Sequence, residues 1–350
     1  MIRADMTYGA LCAKTRALYG KRLRLADYQH MAGLESVEDV MEYLRLKPGW
    51  SAAVGHLLEQ YGGGFIGRVE LEAVLWDQVY TEYAGLSHYV PRSDRAIMQF
   101  PVLLAEVRAI LATLRRLKAG HVKDTPVSFR LLAGSRLDPR VLWTLPDYAA
   151  LTEAAKETIY HAALRRMRPA EGEALPDYAA AEALLRSTYF SHMYRVIHKQ
   201  YAGETQKVLL RAYGEQIDLL NIIHILRLKT YFPGVDSYFA VLFPFNYRLR
   251  PEFIRALCAA PDAAGVFELL KGSPYASSFT DVDVGEVEDY YRRAFYSFNK
   301  RQLISGRPSI YTAMAYLNLK ELELRALVTV IESVKYGAPY DDSFARLIGD

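Results

Sequence analysis

Three segments of the chain carry the same helical pattern at intervals of roughly 110 residues. Each begins with an acid, and four aliphatic side chains then follow at spacings of three, one and three residues, which places them on one stripe of a helix. The acids, at spacings of 112 and then 105 residues, are Glu106, Asp218 and Glu323. The aliphatics are Val107, Ile110, Leu111 and Leu114; Leu219, Ile222, Ile223 and Leu226; and Leu324, Leu327, Val328 and Ile331. A stripe that recurs at this interval predicts an all-α protein built from three diverged copies of one unit.

A second set of helices stands upstream of the stripes. These segments begin at Glu72, Glu182 and Glu288, which lie 34, 36 and 35 residues before the acid of their stripe, and each has an aromatic residue eight positions later. The near-constant offset predicts one antiparallel helix pair that is made three times. Cations near the end of each stripe, followed by glycine or proline, are typical of helix C-termini.

A third similarity marks the start of a copy. Leu137-Asp138-Pro139 and Leu249-Arg250-Pro251 lie 112 residues apart, and proline is well tolerated in the first turn of a helix. In the first copy we align Leu25-Ala26-Asp27 with them, without the proline. The following segment, 42–48, resembles 268–274, whereas the second copy is only weakly similar near 153–160.

The helical period lapses near 122–128 and 233–246, where prolines occur. We therefore predict three helical-bundle repeats, at residues 1–125, 126–236 and 237–350. Strand patterns are too short to predict a sheet.

The composition is that of a globular protein, with 51% hydrophobic and 24% charged residues. The net charge of +3 comes from interspersed charges of both signs, which does not favour nucleic-acid binding. The two cysteines, Cys12 and Cys258, lie in apolar helical contexts, and we expect both to be reduced and buried. No secretory signal is expected at the N-terminus, and the apolar stretch 238–245 is too short to span a membrane. Any membrane association is therefore expected to go through a partner.

Candidate cofactor motifs fail on their context. Gly62, Gly64 and Gly67 spell G-x-G-x-x-G, but the residues before them read as a helix end, whereas a dinucleotide site needs a strand there. A Walker-type phosphate loop does not occur in the sequence. His192 and His198 would point to nearly opposite sides of a helix, so a shared metal is not expected.

Two further polar features also favour structural explanations. The acidic cluster at Asp281, Asp283, Glu286 and Glu288 fails the calcium-loop spacing and is typical of a helix N-terminus. His224 lies within the second stripe and is expected in the core or at an interface. We predict no catalytic residue, cofactor or metal.

The recurring glutamates of the upstream helices are expected to be partly buried, because apolar residues follow at i+3 and i+7, and therefore to need a partner. We predict structural ion pairs, with an alternative in which these glutamates converge as the carboxylates of an all-helical enzyme. The candidates for these pairs are Glu72, Glu182 and Glu288 with Arg115, Arg227 and Lys335.

The second stripe resembles the signature of the C (or d) subunit family of V-type rotary ATPases, in which Asp-x-x-Asn-Ile precedes Leu-Arg-x-Lys on a helix. The residues that match are Asp218, Asn221, Ile222, Leu226, Arg227 and Lys229. The segments 8–18 and 319–337 are similar to the opening and closing helices of the family, so the resemblance covers essentially the whole chain.

The resemblance implies a funnel of three similar helical-bundle domains around a pseudo-threefold axis. It also implies a non-catalytic central-stalk subunit on the cytoplasmic face of the membrane, peripheral to it, which couples the D- and F-type shaft subunits to the proteolipid rotor ring for ATP-linked H⁺ or Na⁺ transport. A helical-repeat adaptor unrelated to rotary machines is the main alternative that the repeat alone permits.

Overall fold

The structure, a computed structural model, describes residues 2–61, 68–119, 134–167, 169–232, 234, 238, 242–279 and 287–349. Throughout these ranges the chain forms helices joined by turns and short connections, without a β-strand. The predicted all-α class is therefore confirmed for the described residues. The glycine motif at 62–67 and the acidic residues Asp281, Asp283 and Glu286 lie outside them.

The helices fall into three groups in chain order. The first group contains α1 (Ile2–Tyr19), α2 (Leu25–Ala32), α3 (Val37–Arg45), α4 (Ser51–Tyr61), α5 (Arg68–Leu86), α6 (Arg95–Met98) and α7 (Phe100–Ala119). The second contains α8 (Pro139–Thr144), α9 (Tyr148–Ala154), α10 (His161–Arg166), α11 (Tyr178–Gln200) and α12 (Gly203–Tyr231). The third contains α13 (Pro251–Ala259), α14 (Ala263–Leu270), α15 (Val287–Ile304), α16 (Tyr311–Tyr336) and α17 (Ser343–Gly349).

The three predicted stripes lie on α7, α12 and α16, which we call the stripe helices. Their aliphatic side chains are buried, apart from the half-buried Val328. The stripe prediction is thus confirmed, and its physical basis is the removal of one continuous apolar face from water. The segments that begin at Glu72, Glu182 and Glu288 lie on the long helices α5, α11 and α15.

Each copy contains a pair of short helices: α2 and α3, α8 and α9, or α13 and α14. We call each pair, together with the residues directly before and after it, the head. The second helix of each head has a polar N-cap whose side chain accepts a hydrogen bond from a backbone N–H inside the helix, so its start is fixed locally. These caps and their donors are Ser36 with Asp39, Asp147 with Ala150, and Asp262 with Gly265. The weak similarity of the second copy near 153–160 therefore belongs to the same element as in the other copies.

The alignment of the first head is wrong by two residues. Helices α2, α8 and α13 begin at Leu25, Pro139 and Pro251, so Leu25 takes the place of the prolines. The buried leucine two positions before the prolines, Leu137 or Leu249, therefore corresponds to Leu23. Without a proline to mark the first turn, the leucine-rich run at 23–25 offers two registers, and periodicity does not distinguish the correct one.

The described residues form two compact units. The first contains those up to Gln99 and from Tyr296 onward, and the second contains most of those between Phe100 and Phe295. In the first unit α16 packs against α5, α1 and α2, and in the second α7 packs against α11. The three-repeat boundaries stay a prediction, since residues 120–133 and most of 233–241 lie outside the described part.

One stretch, Arg92–Ala119, is long and apolar enough to cross a membrane by length and composition. It is a longer apolar stretch than 238–245, and two thirds of its most apolar window is buried within the protein. Core helices of globular domains meet the same criterion. Cys12 and Cys258 are both buried and free, as predicted.

Candidate functional site: three buried acid junctions

The acid that precedes each stripe is almost completely removed from solvent. Glu106 is 3% exposed, Asp218 0% and Glu323 5%. A buried carboxylate is costly unless donors surround it. Each of the three acids accepts hydrogen bonds from a head of the chain, and we call each acid with its donors an acid junction.

The Asp218 junction is the most completely satisfied of the three. One carboxylate oxygen, Oδ1, accepts from the backbone N–H of Tyr247 at 2.9 Å. The other, Oδ2, accepts from the N–H groups of Arg248 at 2.7 Å and Leu249 at 3.1 Å. It also accepts from the Tyr275 hydroxyl at 2.8 Å. Burial and the negative charge of Asp218 raise the pKa of Tyr275, which therefore stays a donor.

Asn221 extends this junction by one helical turn. Its Oδ1 accepts from the Phe243 N–H at 2.8 Å, and its Nδ2 donates to the carbonyls of Phe243 at 3.2 Å and Phe245 at 3.3 Å. One turn before Asp218, the ring of Tyr247 lies so close to Gly214 that an added Cβ would come within 2.5 Å of it. Asp218 and Asn221, which match the family signature, thus hold the segment that leads into the third head. Gly214 leaves room for the Tyr247 ring of that segment.

The Glu323 junction contains a buried cation. The Lys320 ammonium lies 3.2 Å from both carboxylate oxygens and 3.8 Å from the centre of the Trp50 ring. Glu323 Oε1 also accepts from Trp50 Nε1 at 2.9 Å and from the Leu23 N–H at 3.1 Å. Because Lys320 is only 4% exposed, neither charge has water as an alternative partner.

The Glu106 junction has the fewest donors. Its Oε1 accepts a short hydrogen bond from the Ser135 hydroxyl, which in turn accepts from the Leu137 N–H at 2.8 Å. Its Oε2 is buried without a hydrogen-bond partner. Burial raises the pKa of Glu106, and this is only partly opposed by the Ser135 hydroxyl and the Arg136 backbone N–H.

An aromatic donor follows the second helix of every head. Trp50 and Tyr275 donate directly to the acids, as described above. Tyr160 occupies the same place in the second head, but its hydroxyl donates at 2.6 Å to the carbonyl of Leu103, one turn before Glu106. The three positions therefore share an aromatic ring and a donor, and Tyr160 differs from the other two in that it does not donate to the acid itself.

The junctions follow a shifted order along the chain. The stripe helix of the first copy holds the head of the second, that of the second copy holds the head of the third, and that of the third copy holds the head of the first. The last contact joins Glu323 to a residue 300 positions earlier. The series of junctions is therefore closed by the contact between the third stripe helix and the first head, and this contact lies within the first compact unit.

The sequence-predicted ion-pair residues lie elsewhere. Glu182 is half-buried and pairs with Arg186 on its own helix at 2.8 Å. Arg115 lies 5.8 Å from the centre of the Tyr178 ring, and the exposed Lys335 lies 5.5 Å from that of Tyr336. Glu72 is half-buried and Arg227 is exposed, while the side chain of Glu288 lies outside the described residues. The predicted pairing of these residues across helices stays a prediction.

The remaining residues of interest have packing roles. The Lys229 ammonium lies 4.5 Å from the centre of the Tyr238 ring, and the half-buried His224 ring lies 5.5 Å from that of Phe243. Burial, with the charge of Arg195, lowers the pKa of His192.

Among the described residues, no three His, Cys, Asp or Glu side chains are grouped so that they could hold a metal ion.

The acid junctions fix the positions of the heads. Each replaces hydration of a carboxylate by donors fixed within the protein: backbone N–H groups contribute at Asp218 and Glu323, and the Ser135 hydroxyl at Glu106. The position of a head relative to the stripe helix that holds it is therefore set by geometry-sensitive bonds in a dry interior. In the sequence these acids marked the repeat, and Asp218 also matched the family signature, but their burial was not predicted. Their burial could have been foreseen, because each lies four residues before a stripe aliphatic, at Ile110, Ile222 or Leu327, and hence on the same helix face.

Known proteins similar to this chain agree on one family. The family model described as ATP synthase (C/AC39) subunit matches residues 11–343. The A-type ATP synthase C subunit of Methanothermobacter thermautotrophicus is 22% identical over 338 residues, which cover 92% of this chain and 82% of the relative. The A-type ATP synthase C subunit of Methanobrevibacter smithii is 25% identical over 348 residues, covering 95% and 85%.

Proposed function

The chain belongs to the ATP synthase (C/AC39) subunit family, and on that premise we propose that it is the non-catalytic subunit that couples the central shaft of an A/V-type rotary ATPase to its membrane rotor ring. The observation that carries the proposal is the match over residues 11–343, nearly the whole chain. A helical adaptor unrelated to rotary ATPases is set aside by this membership.

For the architecture we propose three helical-bundle domains around a pseudo-threefold axis, with the outline of a funnel. Support comes from the recurrence of one acid junction in three copies and from the return of the third stripe helix to the first head. A part that transmits torque has to resist deformation between its repeats. Buried carboxylates that bridge successive copies provide such resistance, because opening them leaves unpaired polar groups in the core.

The proposed partners are D- and F-type shaft subunits on one side and the proteolipid ring on the other. The chain would act at the cytoplasmic face of the membrane, as a peripheral subunit, during ATP-linked transport of H⁺ or Na⁺. In this role it performs no bond-making chemistry, and ATP turnover belongs to other subunits of the complex.

The assembly is tested by affinity purification of the tagged full-length chain from detergent-solubilised membranes of its native host. We expect the chain to recover the shaft subunits, the proteolipid and the nucleotide-binding subunits together. Recovery of the chain alone, or with soluble proteins only, would contradict the proposal.

Coupling is tested with the complex purified with and without this subunit and reconstituted into vesicles. Without the subunit, we expect ATP hydrolysis by the catalytic part to continue and ATP-driven ion uptake to be lost; adding back the purified chain should restore uptake. Loss of hydrolysis together with uptake, or uptake that continues without the chain, would contradict the proposed coupling role.

A further inference from the structure

Two segments of the chain contain cations and no acids. Residues 6–26 hold five lysines and arginines, and residues 290–320 hold six, although the whole chain has nearly equal numbers, 43 cations and 40 acids. Stretches of 21 and 31 residues without an Asp or Glu are out of keeping with this balance. The segments lie close to opposite ends of the chain.

The fold brings these segments together in the first compact unit. Arg16 on α1 donates through Nε to the carbonyl of Leu303 on α15 at 2.9 Å. The hydroxyls of Tyr19 and Tyr296 lie 3.4 Å apart. Basic residues from both segments therefore share one surface.

Two cations stand over this tyrosine pair. The Arg22 guanidinium lies 4.4 Å from the centre of the Tyr19 ring, and the Lys300 ammonium lies 5.2 Å from that of Tyr296. Burial raises the pKa of Tyr19, and the charges of Arg22 and Lys300 both oppose that rise. Because each cation lies over one ring of the pair, a cation from each segment is held beside the same two hydroxyls.

The surrounding cations face solvent. Arg16, Arg301 and Arg307 are exposed, and Arg22 and Lys300 are half-buried. In the described part of the chain, the ion pairs that carboxylates form do not include Arg16, Lys300, Arg301 or Arg307. Ile304 lies among them with 48% of its surface exposed. We call Arg16, Arg22, Lys300, Arg301 and Arg307, with Ile304, the basic patch.

We propose that the basic patch binds the anionic headgroup surface of a lipid bilayer, a direct contact in addition to the partner-mediated membrane association expected from the sequence. Exposed cations without carboxylate partners are attracted to anionic headgroups, and an exposed aliphatic side chain can enter the boundary between headgroups and acyl chains. An acidic protein partner would need a buried apolar anchor as well as charge. Among residues 296–310 Ile304 is the one large apolar side chain that faces solvent, which favours the lipid surface.

The inference does not depend on the proposed rotary function, because it concerns the isolated chain. It is tested by co-sedimentation of the full-length protein with phosphatidylcholine vesicles that contain or lack phosphatidylglycerol. We expect binding to the anionic vesicles at low salt, loss of binding at high salt, and none to the neutral vesicles. The triple variant Lys300→Gln, Arg301→Gln, Arg307→Gln should bind about fivefold more weakly for each cation removed.

A matched triple variant distinguishes the effect of the basic patch on vesicle binding from the effect of net charge. Lys156→Gln, Lys207→Gln, Lys271→Gln removes the same charge from exposed sites of the second unit, and we expect it to keep most of the binding. Ile304→Ser should weaken binding without changing its salt dependence. Equal loss in both triple variants, no binding to anionic vesicles, or binding to soluble polyglutamate without binding to vesicles would each overturn the proposal. These outcomes leave the co-purification test of the rotary complex unaffected.

Discussion

The Asp218 and Glu106 junctions occupy the same position in successive copies and differ in how completely the carboxylate is satisfied. Asp218 accepts three backbone N–H groups and a tyrosine hydroxyl, whereas Glu106 accepts one serine hydroxyl and keeps one oxygen without a hydrogen bond. Both carboxylates are buried. The three copies thus share a buried acid at the same position, whereas the number of hydrogen bonds that hold the head to this acid differs from copy to copy.

Glu323 provides a third solution, in which a buried lysine compensates the acid. Its pairing joins the two ends of the chain, whereas Asp218 and Glu106 hold segments about 30 residues away. A cation there adds attraction where the loop to be closed is longest and the entropy cost of closure is highest.

The largest expected effect follows removal of the best-satisfied acid. Asp218→Ala leaves several buried donors without an acceptor, and we expect the free energy of unfolding to fall by about 4 kcal/mol or more, at about 1–3 kcal/mol for each unpaired group. The measurement is urea unfolding followed by circular dichroism. The control is Asp177→Ala, which removes an exposed helix cap and should cost about 1 kcal/mol. Equal losses in the two variants would contradict the role assigned to Asp218.

The Glu323 junction should show strong coupling between its two charges. Glu323→Gln strands the Lys320 ammonium in the core, and we expect a loss of about 3 kcal/mol. Lys320→Met should partly rescue Glu323→Gln, because the unpaired cation is removed. A double-mutant cycle on unfolding free energies measures this, and strictly additive losses would show that the pair is not coupled.

The Glu106 junction should respond to pH. Because the folded pKa is raised above the ordinary value of 4.5, the folded state holds a proton that the unfolded state releases, and stability falls as pH rises from 4.5 through the folded pKa. Glu106→Gln should remove this fall, which is worth about 1.4 kcal/mol for each unit by which the pKa is raised. Unfolding of both proteins across this pH range gives the comparison, and parallel pH profiles would contradict the prediction.

The smallest effect is expected for an acid that the sequence pattern made prominent. Glu182→Gln breaks a half-exposed pair with Arg186, and we expect a change of about 0.5 kcal/mol or less. A loss of several kcal/mol would mean that Glu182 has a more important partner than the one on its own helix.

The three stripe acids and the three upstream glutamates show how much of the site could be predicted from the sequence. Helical periodicity predicted the stripe helices and their buried faces, because periodicity is a local property of the sequence. The same reasoning chose Glu72, Glu182 and Glu288 as candidates for buried pairs. Side-chain charge suggested arginine and lysine partners for them, whereas the donors to the fully buried acids include backbone amides.

The donors to the buried acids could not be identified from the sequence, because any backbone amide can donate to a carboxylate. The backbone amide that donates to Glu323 lies 300 positions away along the chain. The predicted register of the first head was wrong for a related reason. Leu23 and Leu25 fit the helical pattern equally well, and the structure distinguishes them by the helix start at Leu25 and by the contact of the Leu23 amide with Glu323. The aromatic donors Trp50, Tyr160 and Tyr275 were missed because their spacing to the stripes differs between copies.

The central claim is that each buried acid fastens the head of one particular copy, and native-state hydrogen exchange read by mass spectrometry tests it most directly. Asp218→Asn should increase exchange at the amides of 247–249 and leave Leu23 protected, whereas Glu323→Gln should increase exchange at Leu23 and leave 247–249 protected. This crossed pattern is what the account predicts. If both variants increased exchange equally at both heads, or at neither, the acids would not be the separate fastenings described here.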